Sequence, residues 1–249
     1  TDAQFFEFGW RIPFIASSLL VFVGLYVRLT LHETPAFQHA IENNERVELP
    51  IKTVFTKYSL QILLGTFAAL ATFVIFYLMT VFTLSWGTSK LDYTREQFLI
   101  LQMGGVLFFG LAIPISAMLA DRYSSRTVLM GATIAILLFG LGFAPLFAAG
   151  NTFEVLAFLS IGLGLMGFTY GPLGTALSEL FPTAVRYTGA SIAFNLAGIL
   201  GASLAPYIAT WLASNYGLSY VGFYLSAAAL LTLLALLAMK KTAPNDAAF

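Results

Sequence analysis

Seven stretches of about twenty mostly apolar residues divide this 249-residue chain. Each is long enough to cross the ~30 Å hydrocarbon core of a bilayer as a helix. They run over Ile12–Leu31, Leu60–Leu84, Phe98–Leu119, Val128–Phe147, Phe153–Leu177, Gly189–Leu212 and Tyr220–Met239. Polar breaks separate them at Asn44-Glu45-Arg46, Lys90-Leu91-Asp92, Asp121-Arg122, Gly150-Asn151 and Ser214-Asn215, with Pro182 marking another. Few architectures tolerate such a pattern. Lipid offers no partner to unpaired backbone groups and no barrel-type alternation is visible, so each stretch is expected to be a helix. Composition points the same way: charged residues make up only 10% and mean hydropathy is +0.85, whereas a soluble domain carries about a quarter charged residues. The expected fold class is an all-α membrane protein.

Charge excludes some partners and suggests an orientation. Twelve Lys and Arg balance twelve Asp and Glu, so no basic attraction to nucleic acid is indicated. With no cysteine present, disulfides and thiolate metal sites are excluded. Because spans alternate, the loops fall into two sets. One holds Arg28, Arg46, Lys52, Lys57, Arg122, Arg126, Arg186, Lys240 and Lys241; the other holds Arg11, Lys90 and Arg95. Nine against three places the first set in the cytoplasm, with the chain start outside and the C-terminus inside. The long cytoplasmic connection Leu31–Lys57 carries four acids and three bases, with Pro35 and Pro50. It reads as a linker between membrane bundles, with room for a surface helix around Ala36–Arg46. The chain begins Thr1-Asp2-Ala3 and its first ten residues lack the basic region of a signal peptide. One span before the linker and six after it lead to the expectation of a piece of a longer protein.

Small residues recur every fourth position in the sixth span, at Gly189, Ala193, Ala197, Gly201 and Ala205. Gly164, Gly167, Gly171 and Gly174 act similarly in the fifth. Such stripes let neighbouring backbones approach closely, whether for static packing or for rocking. Pro114, Pro145, Pro172 and Pro206 make local bends expected. Gly162-Leu163-Gly164-Leu165-Met166-Gly167 matches a dinucleotide fingerprint, but no strand precedes it. His32-Glu33 begins a zinc motif that Ala36 breaks, and His39 is the one other histidine. No cofactor, metal or catalytic constellation is expected, and the chain does not read as an enzyme.

Charges are costly in lipid, and nearly all lie at span ends. Asp121, Arg122, Arg126, Glu179 and Arg186 fall on the cytoplasmic side. They read either as snorkelling loop charges or as a lock in which Glu179 pairs with an Arg of the neighbouring loop. Polar groups inside spans are few: Tyr77, Thr80, Gln102, Tyr170 and Asn195. Tyr77, Gln102, Tyr170 and Asn195 are candidate contacts for a substrate in a wet cavity; for the two amides, interhelical hydrogen bonding is the alternative.

Four segments resemble the major facilitator superfamily, in particular its metabolite:proton symporter family. They are Gly9-Trp10-Arg11-Ile12-Pro13-Phe14; Leu31-His32-Glu33-Thr34-Pro35-Ala36-Phe37; Leu119-Ala120-Asp121-Arg122 with Arg126; and Tyr170-Gly171-Pro172-Leu173 through Glu179-Leu180-Phe181-Pro182-Thr183-Ala184-Val185-Arg186-Tyr187-Thr188-Gly189, on to Asn195 and Ala205-Pro206. The third resembles the superfamily's loop motif G-x-x-x-D-R-x-G-R-[KR]. Ala117 and Ser124 stand at its two glycine positions and Ser125 at a basic one, which weakens the expectation of the usual tight turn and full charge cluster.

The resemblance implies a six-helix C-terminal bundle of a major facilitator fold, plus one preceding transmembrane helix. Residues 1–31 would end the N-terminal bundle, 32–57 form the central linker, 58–239 the C-terminal bundle and 240–249 a cytoplasmic tail. The implied function is proton-coupled symport of a small organic acid, zwitterion or osmolyte by alternating access, with substrate held between two bundles. Its partners would be a small polar metabolite, protons, the lipid bilayer and the N-terminal half, and its location the bacterial inner membrane. With no Asp, Glu or His in mid-span, the proton carrier would lie in that other half. The competing reading is a non-transporting sensor or scaffold built on a transporter half.

Overall fold

A computed structural model describes residues 4–30, 50–147 and 151–239, and among these residues all regular structure is helical. The chain divides into two compact units, Thr1–Arg46 and Val47–Phe249. The first contains α1 (Phe5–Thr30), which opens with a π-turn over Phe5–Gly9 and buries none of its residues. The surface helix expected around Ala36–Arg46 and the tail from 240 lie outside the described residues.

The second unit contains α2 (Pro50–Lys57), α3 (Ser59–Lys90), α4 (Arg95–Tyr123), α5 (Ser125–Leu141), α6 (Phe143–Phe147), α7 (Thr152–Ser178), α8 (Thr183–Tyr216) and α9 (Leu218–Ala238). Residues 50–57, assigned from sequence to the linker, form a helix whose Val54 is fully buried against the bundle, where α2 meets α3 and the start of α8. Among the described residues six helices, α1, α3, α4, α7, α8 and α9, are long and apolar enough to cross a membrane; α5 is a shorter apolar helix of 17 residues. The expected fourth span, Val128–Phe147, is thus two pieces. Pro145 has no N–H for the carbonyl of Leu141, so the ladder ends there, and α6 restarts after Gly142 with the proline in its first turn.

Caps explain where the other helices begin. Thr94 and Gln97 form a reciprocal capping box at α4, each side chain bonding the other's backbone N–H at 3.2 and 3.0 Å. The Asn151 side chain accepts from the Glu154 N–H at 2.9 Å to start α7. Between α4 and α5 the turn is a single residue, Ser124, at φ 148° and ψ 151°. That region is nearly glycine-only and costs a side-chain-bearing residue on the order of 1–3 kcal/mol. Part of the cost is offset because the Ser124 hydroxyl caps α5, accepting from the Thr127 N–H at 3.2 Å. The tight turn that the serine at a motif glycine position argued against is therefore formed.

Helix packing follows the small residues. Gly189, Ala193, Ala197, Gly201 and Ala205 are all buried, and the stripe continues through Ala209 and Ala213. In α7, Gly167 and Gly171 carry the close approach: a Cβ on either would come within 2.7 Å of an α4 carbonyl oxygen, of Phe109 or Ile113 respectively, whereas Gly174 faces open space. The α5–α9 crossing is tightest at Gly140 and Gly222, where a Cβ on Gly222 would run into the Gly140 carbonyl and lie 2.7 Å from the Phe143 Cβ. Polar side chains tie the same pairs together. Ser226 donates to the Leu137 carbonyl at 2.9 Å across α9–α5, and Ser116 to the Gly167 carbonyl at 3.3 Å across α4–α7.

Gly222→Ala is therefore expected to destabilise the bundle by about 1–3 kcal/mol through overpacking. Gly131→Ala, at a position with no atom within 4 Å of the added Cβ, is expected to leave stability unchanged or slightly raised. Thermal unfolding of the detergent-solubilised chain compares the two, and equal midpoints would contradict the crossing described.

Candidate functional site

α3 does not run as one regular helix. Leu78–Phe82 is a π-turn, in which the Thr83 N–H bonds the Leu78 carbonyl five residues back. A π-turn loosens the local i→i−4 pairing, and the carbonyls beside it need other donors. Gln102, on α4 and 8% exposed, supplies them: its amide nitrogen donates to the Met79 carbonyl at 2.9 Å and the Thr80 carbonyl at 2.7 Å, with the Thr83 hydroxyl oxygen at 3.4 Å. The Thr83 hydroxyl also donates to Met79, at 2.6 Å. Of the two readings left open for Gln102, the structure supplies the interhelical one. This buried amide ties α4 to the irregular turn of α3.

Tyr77 is the residue immediately before that π-turn and is half-buried. Its ring packs edge-on to Phe76 at 5.3 Å; Phe76 packs on Phe109 at 6.5 Å, and Phe109 on Tyr170 at 5.9 Å. A line of four aromatic rings thus joins α3, α4 and α7, with a tyrosine at each end. Tyr170 is 41% exposed, so its end of the line opens onto the bundle surface. Phe76 and Phe109 were not singled out from sequence. Phenylalanine is frequent throughout the chain, and nothing in its spacing separates these two.

Asn195 lies apart from this line. It is exposed on α8, and its amide donates to the Ser191 carbonyl one turn back at 2.8 Å. Beside it Phe194 packs edge-on to Phe73 of α3 at 4.9 Å. α8 carries its own π-turn over Ile199–Ser203, packed against α3. Next to the α3 π-turn, Thr80, Val81, Leu84, Ser85, Thr88 and Arg95 line an open groove of about 370 Å³.

The five charged candidates lie at helix ends, as the spacing requires. Among the described residues no ion pair links Glu179 to Arg122, Arg126 or Arg186. Asp121, Arg122, Glu179 and Arg186 are exposed. Arg126 donates to the Leu237 carbonyl at 2.9 Å, a basic side chain satisfying the last turn of α9, while its Nε is buried without a partner. Arg186 donates from Nε to the Phe181 carbonyl at 3.3 Å. The Arg122 guanidinium lies 5.5 Å from the Tyr123 ring centroid. These contacts anchor helix ends in the conformation described. His32 and His39 lie outside the described residues, and among the described ones no group of three or more His, Asp or Glu could hold a metal.

A profile of the Major Facilitator Superfamily matches residues 5–197 and 90–249. The chain is 49% identical over 247 residues to the inner membrane metabolite transport protein YhjE of Escherichia coli K12, covering 97% of this chain and 56% of that protein. It is 30% identical to the proline/betaine transporter of the same organism, over 97% of this chain and 50% of that one. To its shikimate transporter it is also 30% identical, over 96% and 56%. The chain spans about half the length of the curated relatives it matches. No solved structure matches it.

Replacing Gln102 by Leu leaves the Thr80 carbonyl without its side-chain donor and the Met79 carbonyl with the Thr83 hydroxyl alone, and is expected to cost about 1–3 kcal/mol. Asn195→Ala removes only an exposed bond within one helix and is expected to change stability by less than about 0.5 kcal/mol. Unfolding in detergent separates them, and a larger loss at Asn195 would reverse the two assignments.

Proposed function

The chain belongs to the major facilitator superfamily, and on that footing we propose that it is the C-terminal bundle, with one preceding helix, of a transporter for small polar metabolites. The observation that carries this reading is the match to a metabolite transport protein over 97% of the chain. Residues 58–239 would then form one bundle, α1 would close the other, and residues 32–57 would join them. The relatives' names, metabolite, proline/betaine and shikimate transporters, support a small organic acid, zwitterion or osmolyte as substrate.

Substrate would bind near midplane between the two bundles, as alternating access requires. Tyr77 and Tyr170 would offer ring faces and hydroxyls on the bundle side, and Asn195 an amide from α8. Gln102 would act indirectly, by holding the turn that follows Tyr77. We infer proton symport with the proton carried by the other half, since Asp92, Glu96, Asp121, Glu154 and Glu179, the acids described in this bundle, all sit at helix ends. The nine-to-three bias of Lys and Arg supports a cytoplasmic C-terminus in the inner membrane. Glu179 would pair with Arg122 or Arg126 in a different conformation of the transport cycle, and these pairs would break as the helices splay.

Reconstituted alone in liposomes with a pH gradient, residues 1–249 are expected to show no saturable uptake of organic acids, proline or betaine. Preceded by five further transmembrane helices in one protein, they are expected to drive uptake that a protonophore abolishes. Gradient-driven uptake by residues 1–249 alone would contradict the half-transporter reading, and uptake indifferent to the protonophore would contradict proton coupling.

A further inference from the structure

The turn between α4 and α5 sits at the mouth of an apolar groove. Leu119 and Tyr123 of α4, Gly131 and Ala135 of α5, and Leu165 and Phe168 of α7 line its sides, and it encloses about 400 Å³. The groove exists because α5 presents small residues there: a Cβ added to Gly131 would meet nothing within 4 Å. Arg122 stands beside the mouth, its guanidinium 5.5 Å from the ring of Tyr123, which itself lines the groove. Among the described residues Arg122 has no acidic partner. Arg126 is turned away to the Leu237 carbonyl, and Asp121 is the one acid within the turn. With one acid and two arginines, the turn is left with a net positive charge.

We propose that this groove seats one acyl chain of an anionic phospholipid, whose headgroup phosphate rests on Arg122. Three observations select that occupant. The groove is cut into the apolar helices of a membrane bundle, where lipid is the solvent, and apart from Tyr123 at the mouth Thr127 is the one polar residue of its lining, so a long apolar chain fills it with little polar surface to desolvate. Its mouth lies at a helix end marked by a tyrosine and an arginine, the pair of residue types that anchors at the headgroup level. The exposed cation there is balanced by a phosphate more fully when the headgroup carries no ammonium of its own. The two arms act together: the groove fixes the chain, and the guanidinium selects the charge. The site is separate from the tyrosine line, and although Arg122 is also a proposed partner of Glu179, the test below reads bound lipid rather than uptake, so its outcome is distinguishable from that of the function proposed above.

The test is lipid retention by purified residues 1–249, delipidated and then offered equal amounts of phosphatidylglycerol and phosphatidylcholine, read by native mass spectrometry. One basic residue near an anionic headgroup corresponds to about a fivefold preference, so about fivefold more phosphatidylglycerol is expected to be retained. Arg122→Gln is expected to bring the ratio close to one, and Ala135→Phe, which fills the groove, to lower retention of both lipids. Equal retention by the unmodified chain would overturn the proposal, as would a preference that survives Arg122→Gln or retention indifferent to Ala135→Phe. Should either variant fail to fold, the unmodified chain still decides. Phosphatidylglycerol carrying a diazirine on its acyl chain is expected to label the segments around Ala135 and Phe168. Labelling confined to other helices, or a cross-linked second copy of the chain in place of lipid, would overturn it.

Discussion

A helix inside a bilayer has no water to satisfy its backbone, so wherever its hydrogen-bond ladder opens, a neighbour must close it. The architecture of this bundle turns on two such repairs to α3. At its centre the Thr232 hydroxyl of α9 bridges one turn of the ladder, accepting from the Ala71 N–H at 3.1 Å and donating to the Phe67 carbonyl at 2.7 Å. Two turns further on, the Gln102 amide closes the π-turn at Met79 and Thr80. An orphaned amide group in an apolar interior costs several kcal/mol, more than a typical helix–helix hydrogen bond in a membrane returns. The two contacts therefore act chiefly by preventing a penalty. They also fix α9 and α4 against α3 at defined heights, and the remaining helices pack around that frame.

Committing the interior polar groups to backbone repair shapes the surface that the bundle leaves open. Gln102 and Thr232 face inward and are satisfied by protein. The open surface beside them carries aromatic rings instead, with Tyr77 and Tyr170 ending a line through Phe76 and Phe109. A wall of that kind offers ring faces and hydroxyls but no formal charge. Charge is confined to helix ends, where Arg126 and Arg186 satisfy carbonyls and Ser124 accepts backbone strain to keep the α4–α5 turn to one residue. Strain at that turn and π-turns in α3 and α8 place the irregular backbone near the residues that the family resemblance picks out.

Much of this was legible from the amino acids. The apolar runs located the crossings, and the four-residue spacing of Gly189 through Ala205 marked the face of α8 that is buried. Gln102 stood out because an amide at bilayer depth must have a partner, but its partner could not be read. That partner is a carbonyl exposed by a π-turn, and no local composition distinguishes Leu78–Phe82 from an ordinary helical stretch. The same holds for Thr232, one of three hydroxyl-bearing Ser and Thr residues in α9, whose hydroxyl could as readily have bonded its own turn. The break at Gly142 was obscured because Val128–Phe147 reads as one continuous apolar run, and only the missing N–H of Pro145 signals the interruption. The Ser124 turn ran against its residue type, since a hydroxyl cap there outweighs part of a conformational preference that favours glycine.

The central proposal is that this chain crosses a bilayer seven times, six times by the helices long enough to do so and once by α5 and α6 together. Because the chain has no cysteine, single cysteines at Ser89, Ser124, Asn151, Thr183 and Asn215 can be tested without background. In intact spheroplasts a membrane-impermeant maleimide is predicted to label positions 89, 151 and 215, and to reach 124 and 183 only after the membrane is opened. Labelling of 124 and 151 from the same side would show that the α5–α6 segment does not cross, and would contradict the account.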